Sequence, residues 1–200
     1  MKKWIAMLLS AALMLTVLAG CGKQEEEPPV DPGSLEKSTV IITVKDYGQI
    51  EVELDPTAAP ITVTNFLKLV KDGFYDGLTF HRIIEGFMIQ GGDPKGNGTG
   101  GSKDRITGEF AENGVENPIK HVRGVISMAR TSNPDSASSQ FFIMHQDAPA
   151  LDGKYAAFGH VTAGIEVVDA ICASAQTEDD NGTVLPENQP VIESIVVKEA

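Results

Sequence analysis

Cysteine is almost missing from this chain: Cys21 and Cys172 are the two present in 200 residues, so no disulfide framework can hold it together. Cys172 falls within an apolar, helix-spaced pattern, where a free cysteine behaves as a small hydrophobe. Positive charge is also scarce. Lysine and arginine number 16 against 28 aspartates and glutamates, a formal net charge of −12, and no basic cluster interrupts the excess, which excludes a nucleic-acid-binding surface. The four histidines, His81, His121, His145 and His160, lack ligand spacing, so no metal site is expected. The pattern G-x-G-x-x-G occurs at Gly96 to Gly101, but Asp93-Pro94 precedes it and no helix pattern follows. Tight turns explain those glycines better than a dinucleotide site, and no cofactor is expected. Long apolar runs are confined to one, Trp4 to Ala19, short for a membrane span of about 20 residues.

What is there divides into three stretches. Residues 1–20 read as a signal peptide, with Lys2-Lys3 ahead of the apolar run, and are expected to be removed. Leu18-Ala19-Gly20-Cys21 looks like a bacterial lipobox, with Cys21 lipidated as the first mature residue; a cysteine after an uncleaved anchor is the alternative. Two or more acyl chains on one residue would anchor stably, each buried methylene being worth about 0.8 kcal/mol. Residues 21–37 carry Glu25-Glu26-Glu27 and Pro28-Pro29, too polar to bury and too broken for a helix, and read as a flexible spacer. Extended at about 3.1 Å per residue, it would reach roughly 50 Å. Residues 38–200 suit one domain with a sizeable core. The expected location is extracytoplasmic, tethered to a cell membrane through the lipid.

Within the domain, Thr39 to Lys45 is rich in β-branched residues, and after the turn at Asp46-Tyr47-Gly48 the alternation of Ile50, Val52 and Leu54 predicts the second strand of a hairpin. Pro60 opens a segment with Val63, Phe66 or Leu67, and Val70 at helical spacing, and Gly73 lies where that helix would stop. Further strands are predicted at 79–84, 87–90, 124–129, 141–144, 156–161 and 191–197, with a second helix near 165–172. On strand alternation, Phe80, Arg82 and Ile84 share one face, and His81 and Ile83 the other. Many short strands and two helices suit either a closed antiparallel barrel or a sandwich.

The chemistry lies in Phe80-His81-Arg82-Ile83-Ile84-Glu85-Gly86-Phe87-Met88-Ile89-Gln90-Gly91-Gly92-Asp93 and in Ser139-Gln140-Phe141-Phe142-Ile143. Together they supply a permanent cation and amides beside large apolar side chains, with no evident nucleophile or acid/base pair. Such a set suits a reaction that moves charge without moving protons, rotation about a prolyl peptide bond among them. Taken singly, each residue has a plainer role: Arg82 in an ion pair, Phe87, Met88 and Phe142 in core packing, the glutamines satisfying buried backbone.

Both segments resemble the signature of the cyclophilin-type peptidyl-prolyl isomerases, a resemblance running from about Thr39 to Val197. It implies a mainly β fold, a closed eight-stranded antiparallel barrel capped by two helices, with its interior packed and its substrate groove outside. It also implies peptidyl-prolyl cis-trans isomerase activity on proline-containing, unfolded or extended segments, here of exported proteins, and a monomer. Arg82, Gln90 and Phe142 would be the catalytic residues, Arg82 donating to the prolyl nitrogen. Phe87, Met88 and Leu151 would line the proline pocket with Phe142, and Gln140 would position substrate or Arg82. The backbone of Ala129 and Arg130 would pair with the extended peptide, and Tyr155, where many members carry His, would bond the substrate carbonyl. Arg130 replaces a frequent Asn at the groove wall: if only its backbone is used the change is tolerated, and if its charge is felt it would bias substrates towards acidic residues near the proline. Ala150 stands where the best-known eukaryotic members carry Trp, which implies weak cyclosporin binding. A groove that holds proline segments without turning them over is the rival reading.

Overall fold

The computed structural model describes residues 36–199; the leader, Cys21 and all but the end of the spacer lie outside them. Among the described residues there are eight strands and two α-helices: β1 (Ser38–Val44), β2 (Gly48–Leu54), α1 (Pro60–Lys71), β3 (Phe80–Ile84), β4 (Met88–Gly91), β5 (Val125–Met128), β6 (Phe141–Met144), β7 (Ala157–Ala163), α2 (Ile165–Ser174) and β8 (Ile192–Val197). The strands form one antiparallel sheet in the order β3-β4-β6-β5-β7-β2-β1-β8.

Strict alternation builds the first hairpin. Val40, Ile42 and Val44 of β1 and Ile50, Val52 and Leu54 of β2 are all buried, while the residues between them are not. Helix α1 begins at Pro60, and its N-cap, Ala59, has no side chain able to bond the free amides. A distant carboxylate replaces it: Glu109 accepts from the Ile61 N–H at 2.9 Å and the Thr62 N–H at 2.8 Å, and from the Thr62 hydroxyl at 2.7 Å. These are the unpaired donors that every helix start leaves.

Side chains fill the interior. Phe66 of α1 lies 5.1 Å from the Tyr75 and Phe158 rings and 5.6 Å, edge-on, from Phe141, and Phe80 lies 6.0 Å from Phe141. Each such ring removed from water contributes about 1.5–3 kcal/mol. Helix α2 adds Val168 and Ile171 to the same core. A second, smaller apolar cluster of Met88, Val125, Phe142, Met144 and Ala157 lies apart from it. Consecutive residues of β6 thus face opposite ways, Phe141 inward and Phe142 into the second cluster, as a strand requires.

Two expectations are corrected. The barrel is open, not closed: β3 and β8 share no ladder, only an isolated bridge between Thr79 and Val191 with its flanking bonds, Phe80 N–H to Pro190 O at 3.0 Å and Ile192 N–H to Leu78 O at 2.7 Å. The free edge of β3 is taken instead by irregular chain. Ile83 N–H donates to Gly182 O at 2.8 Å, Val184 N–H donates to His81 O at 3.1 Å, and Arg82 bridges Thr183. The fold is therefore an eight-stranded half-barrel with two helices.

The second correction concerns phase. Phe80 pairs with Gly91 and Arg82 with Gln90, so two steps along β3 match one along β4 and His81 is the extra residue of a bulge. Phe80 consequently enters the interior with Ile83, whereas Arg82 and Ile84 face outward. Simple alternation would have put Phe80 and Arg82 together; the bulge separates them, re-aiming the side chain after it.

Candidate active site

Strand register assembles the site. Arg82 pairs with Gln90, Gln90 with Phe142, and Phe142 with Ser127, so four side chains from β3, β4, β6 and β5 stand in one row across the sheet. The next row on that face holds Ile84, Met88 and Met144. A cation, an amide and a ring therefore meet an apolar patch although up to 60 residues of chain separate them.

The row opens into a cavity of about 510 Å³ lined by Arg82, Phe87, Met88, Gln90 and Phe142, and also by Ala129, Arg130, Leu151 and Tyr155. Gln140 is set back, lining a neighbouring hollow of about 170 Å³. Nine of the ten residues expected in the groove thus face one cavity, and the tenth reaches it through Gln90.

Arg82 is half-buried. Its Nε donates to Asn181 O at 2.8 Å and its Nη1 to Gln90 Oε1 at 3.2 Å, and among the described residues no carboxylate makes an ion pair with it. Burial pulls its pKa below the usual guanidinium value, with Tyr155 and Asp179 opposing; the group stays protonated in water near neutrality.

Because a guanidinium only donates, it sets the direction of every bond behind it. Gln90 must turn Oε1 to Arg82, so its Nε2 donates to Gln140 Oε1 at 2.9 Å. Gln140 Nε2 then donates to Gly98 O at 3.1 Å and Gly100 O at 2.8 Å. Those carbonyls belong to a loop gathered by Asp93, which is 1% exposed and accepts from the amides of Lys95, Asn97 and Gly100 at 2.8, 3.2 and 3.1 Å. Burial pushes the Asp93 pKa up, but these backbone donors outweigh it and hold the carboxyl below its ordinary value.

The apolar side is equally braced. Phe142 is stacked on His121, centroids 6.1 Å apart and planes 19° from parallel, and Tyr155 meets it edge-on at 5.8 Å. His121 is itself held at both nitrogens, Nδ1 3.2 Å from Asp152 Oδ1 and Nε2 3.1 Å from Ser127 Oγ. Phe87 closes the turn between β3 and β4, its carbonyl accepting from His145 N–H at 2.9 Å. Leu151 is presented by a short turn at Pro149–Leu151, and the exposed Ala150 precedes it. Ala129 N–H donates to Gln140 O at 2.9 Å; among the described residues the Arg130 N–H and Ala129 C=O have no backbone partner, a free edge beside the cavity.

Three supporting groups escaped the sequence reading. Asn181 orients Arg82 through a main-chain carbonyl, which no side-chain pattern announces. His121 stands in the sequence as one of four scattered histidines, and nothing there singles out Asp152. His81 is 4% exposed with both ring nitrogens unbonded, and the bulge that buries it has no local signature. No group of three or more metal-ligating side chains gathers among the described residues.

The model of the family "Cyclophilin type peptidyl-prolyl cis-trans isomerase/CLD" matches residues 39–197. Peptidyl-prolyl cis-trans isomerase B of Bacillus subtilis (strain 168) is 50% identical over 123 residues, covering 62% of this chain and 82% of that protein. A peptidyl-prolyl cis-trans isomerase of Helicobacter pylori (strain ATCC 700392 / 26695) is 48% identical over 136 residues, 66% of this chain and 80% of that one. Among solved structures, a Cryptosporidium parvum cyclophilin type peptidyl-prolyl cis-trans isomerase, crystallised in the presence of the dipeptide Ala-Pro, superposes with a TM-score of 0.71 at 32% identity, covering 81% of this chain and 99% of that one.

Proposed function

Since the chain belongs to the cyclophilin-type family and is a peptidyl-prolyl cis-trans isomerase, we propose that the groove beside Arg82 is where it turns the X-Pro bond, and that its substrates are proline-containing segments of exported proteins. An X-Pro amide rotates over a barrier of about 18–20 kcal/mol because the nitrogen lone pair is shared with the carbonyl, and uncatalysed exchange takes tens to hundreds of seconds. Halfway through the rotation the lone pair is localised on the prolyl nitrogen. A fixed donor there, in a site with little water, stabilises the twisted amide more than either planar form.

Arg82 is that donor. The observation carrying this reading is its geometry: a half-buried guanidinium with no carboxylate in ion-pair contact among the described residues, anchored through Nε and Nη1 and lining one cavity with Phe87, Met88, Phe142 and Leu151. Phe142, Met88, Phe87 and Leu151 receive the proline ring, while Gln90, backed by Gln140, holds Arg82 in place. The free edge at Ala129 and Arg130 pairs with the extended peptide, and Tyr155 bonds a substrate carbonyl. An acceleration of roughly 10⁴ to 10⁵ requires about 5.5–7 kcal/mol, within reach of one charged donor and a shaped pocket.

A protease-coupled assay on a proline tetrapeptide tests this. Arg82→Ala should lose on the order of 10² to 10³ in kcat/KM; activity equal to the unsubstituted protein removes Arg82 from the mechanism. The exported setting rests on the leader, on the lipobox-like Leu18 to Cys21 and on the acidic spacer. The protein acts there as a monomer tethered by lipid on Cys21. Mass spectrometry of the mature protein should find an acylated N-terminal Cys21, and a chain still beginning at Met1 contradicts it.

A further inference from the structure

Arg130 lies two residues beyond the end of β5 and lines both hollows of the site. We infer that it is a positioning residue: its guanidinium fixes Tyr155 and the turn carrying Leu151 against Phe142, so that it shapes the proline pocket without reading substrate charge. The inference rests on the groove being the isomerase site.

The geometry is that of a clamp. Arg130 Cζ lies over the Phe110 ring, 4.8 Å from its centroid, and over the Tyr155 ring, 4.7 Å from its centroid, so two aromatic rings meet the one guanidinium. Within the plane, Nε and Nη2 donate to one carbonyl, Lys154 O, at 3.0 and 2.7 Å, and Nη1 donates to Thr131 O at 2.9 Å. Three of the five N–H donors of the group are thereby directed at main chain, leaving few for a substrate carboxylate.

The effect passes into the pocket through two routes. Tyr155, in contact with the Arg130 guanidinium, meets Phe142 edge-on at 5.8 Å and His121 at 6.5 Å. Lys154, whose carbonyl Arg130 grips, donates its own N–H, one peptide earlier, to Leu151 O at 3.0 Å, so the same grip braces the turn that presents Leu151. Phe110 adjoins Glu109, the carboxylate that caps α1, and so ties the clamp to the body of the domain. A lysine would keep the charge and lose both the fork and the planar stacking; a residue that read substrate charge would survive that change.

The test uses three proline tetrapeptides matched except for Glu, Gln or Lys beside the proline, with Arg130→Lys, Arg130→Ala, Tyr155→Ala and the double variant Arg130→Ala/Tyr155→Ala. Both Arg130 variants should raise KM by about fivefold to tenfold, equally for all three peptides, with a smaller change in kcat, as expected for weakening of its two cation–aromatic contacts and the ordering they supply. The double variant should be no worse than Tyr155→Ala. A wild-type Arg130→Lys, a change confined to the Glu peptide, or additive losses in the double variant would each overturn the inference. Should Arg130→Ala fail to fold, Arg130→Lys decides alone. Arg82→Ala in the same assay separates the two levels. If it is inactive while the Arg130 variants are normal, only the clamp falls; if it is fully active, the groove reading falls with it.

Discussion

Gln90 stands directly across from Arg82 on the neighbouring strand, and its Oε1 accepts the Nη1 hydrogen bond at 3.2 Å. Gln140 holds the other end of the same amide. The direction of this relay is dictated by the one member that cannot accept, so removing either glutamine should loosen the aim of the guanidinium without removing its charge. Gln90→Leu is expected to cost about tenfold in kcat, equivalent to about 1.4 kcal/mol, with KM little changed. Gln140→Leu should show a smaller loss of the same kind. Steady-state kinetics on one tetrapeptide separate this from a binding role, in which KM would carry the change.

Gly182 backs β3, the strand that carries Arg82, from outside. Its φ is +79°, and a Cβ there would collide with the main-chain carbonyl of Ile83, which cannot move without opening β3. Gly182→Ala should push the 179–184 segment away from β3 and carry the Asn181 carbonyl off Arg82 Nε. Both stability and kcat/KM should fall, the latter about tenfold by loss of one orienting contact. An active, fully stable variant would show that Asn181 is not needed to hold the arginine.

Glu109 makes a prediction confined to stability. It bonds the Ile61 and Thr62 amides and the Thr62 hydroxyl from 47 or 48 residues away. Glu109→Ala would leave those donors unmet and should cost about 2 kcal/mol or more, read as a lower urea midpoint. A midpoint unchanged from wild type would mean that water replaces the cap at no cost.

Burial lowers the pKa values of His81 and His121 from 6.5; Asp93 opposes this for His81, and Asp152 for His121. Between the folded and unfolded values the unfolded chain binds more protons, so stability should be full above about pH 7 and decline as the pH falls through 6.5. The carboxylates Asp93 and Asp152 are also shifted down, below 3.8, so their contribution falls in the same direction but is held until more acid conditions. Urea midpoints at pH 5.5 and 7.5 check the sign: the lower pH should give the lower midpoint, and an equal or higher one contradicts the histidine account.

Where structure follows local pattern, the sequence was sufficient. The alternation in β1 and β2, the helix opened by Pro60, and the run Phe141 to Met144 all fall within a residue or two of their expected bounds. The residues placed in the groove by resemblance also gather at one cavity and its neighbour. What escaped depends on partners distant in the chain. The bulge at His81 arises only when β3 meets β4, so alternation alone paired Phe80 with Arg82. The open seam depends on residues 182–184 occupying the edge of β3, and the cap on α1 is supplied by Glu109. Such pairings leave no periodicity to read.

The central claim is that Arg82 lowers the energy of the twisted amide and does not merely bind its planar forms. Exchange NMR on a prolyl tetrapeptide, with the protein and with Arg82→Ala at matched saturation, measures this directly. The account predicts that both bind the peptide with Kd values within a few-fold, and that cis–trans exchange of the bound peptide slows on the order of 10² to 10³ in the variant. Equal exchange rates in the two would contradict it.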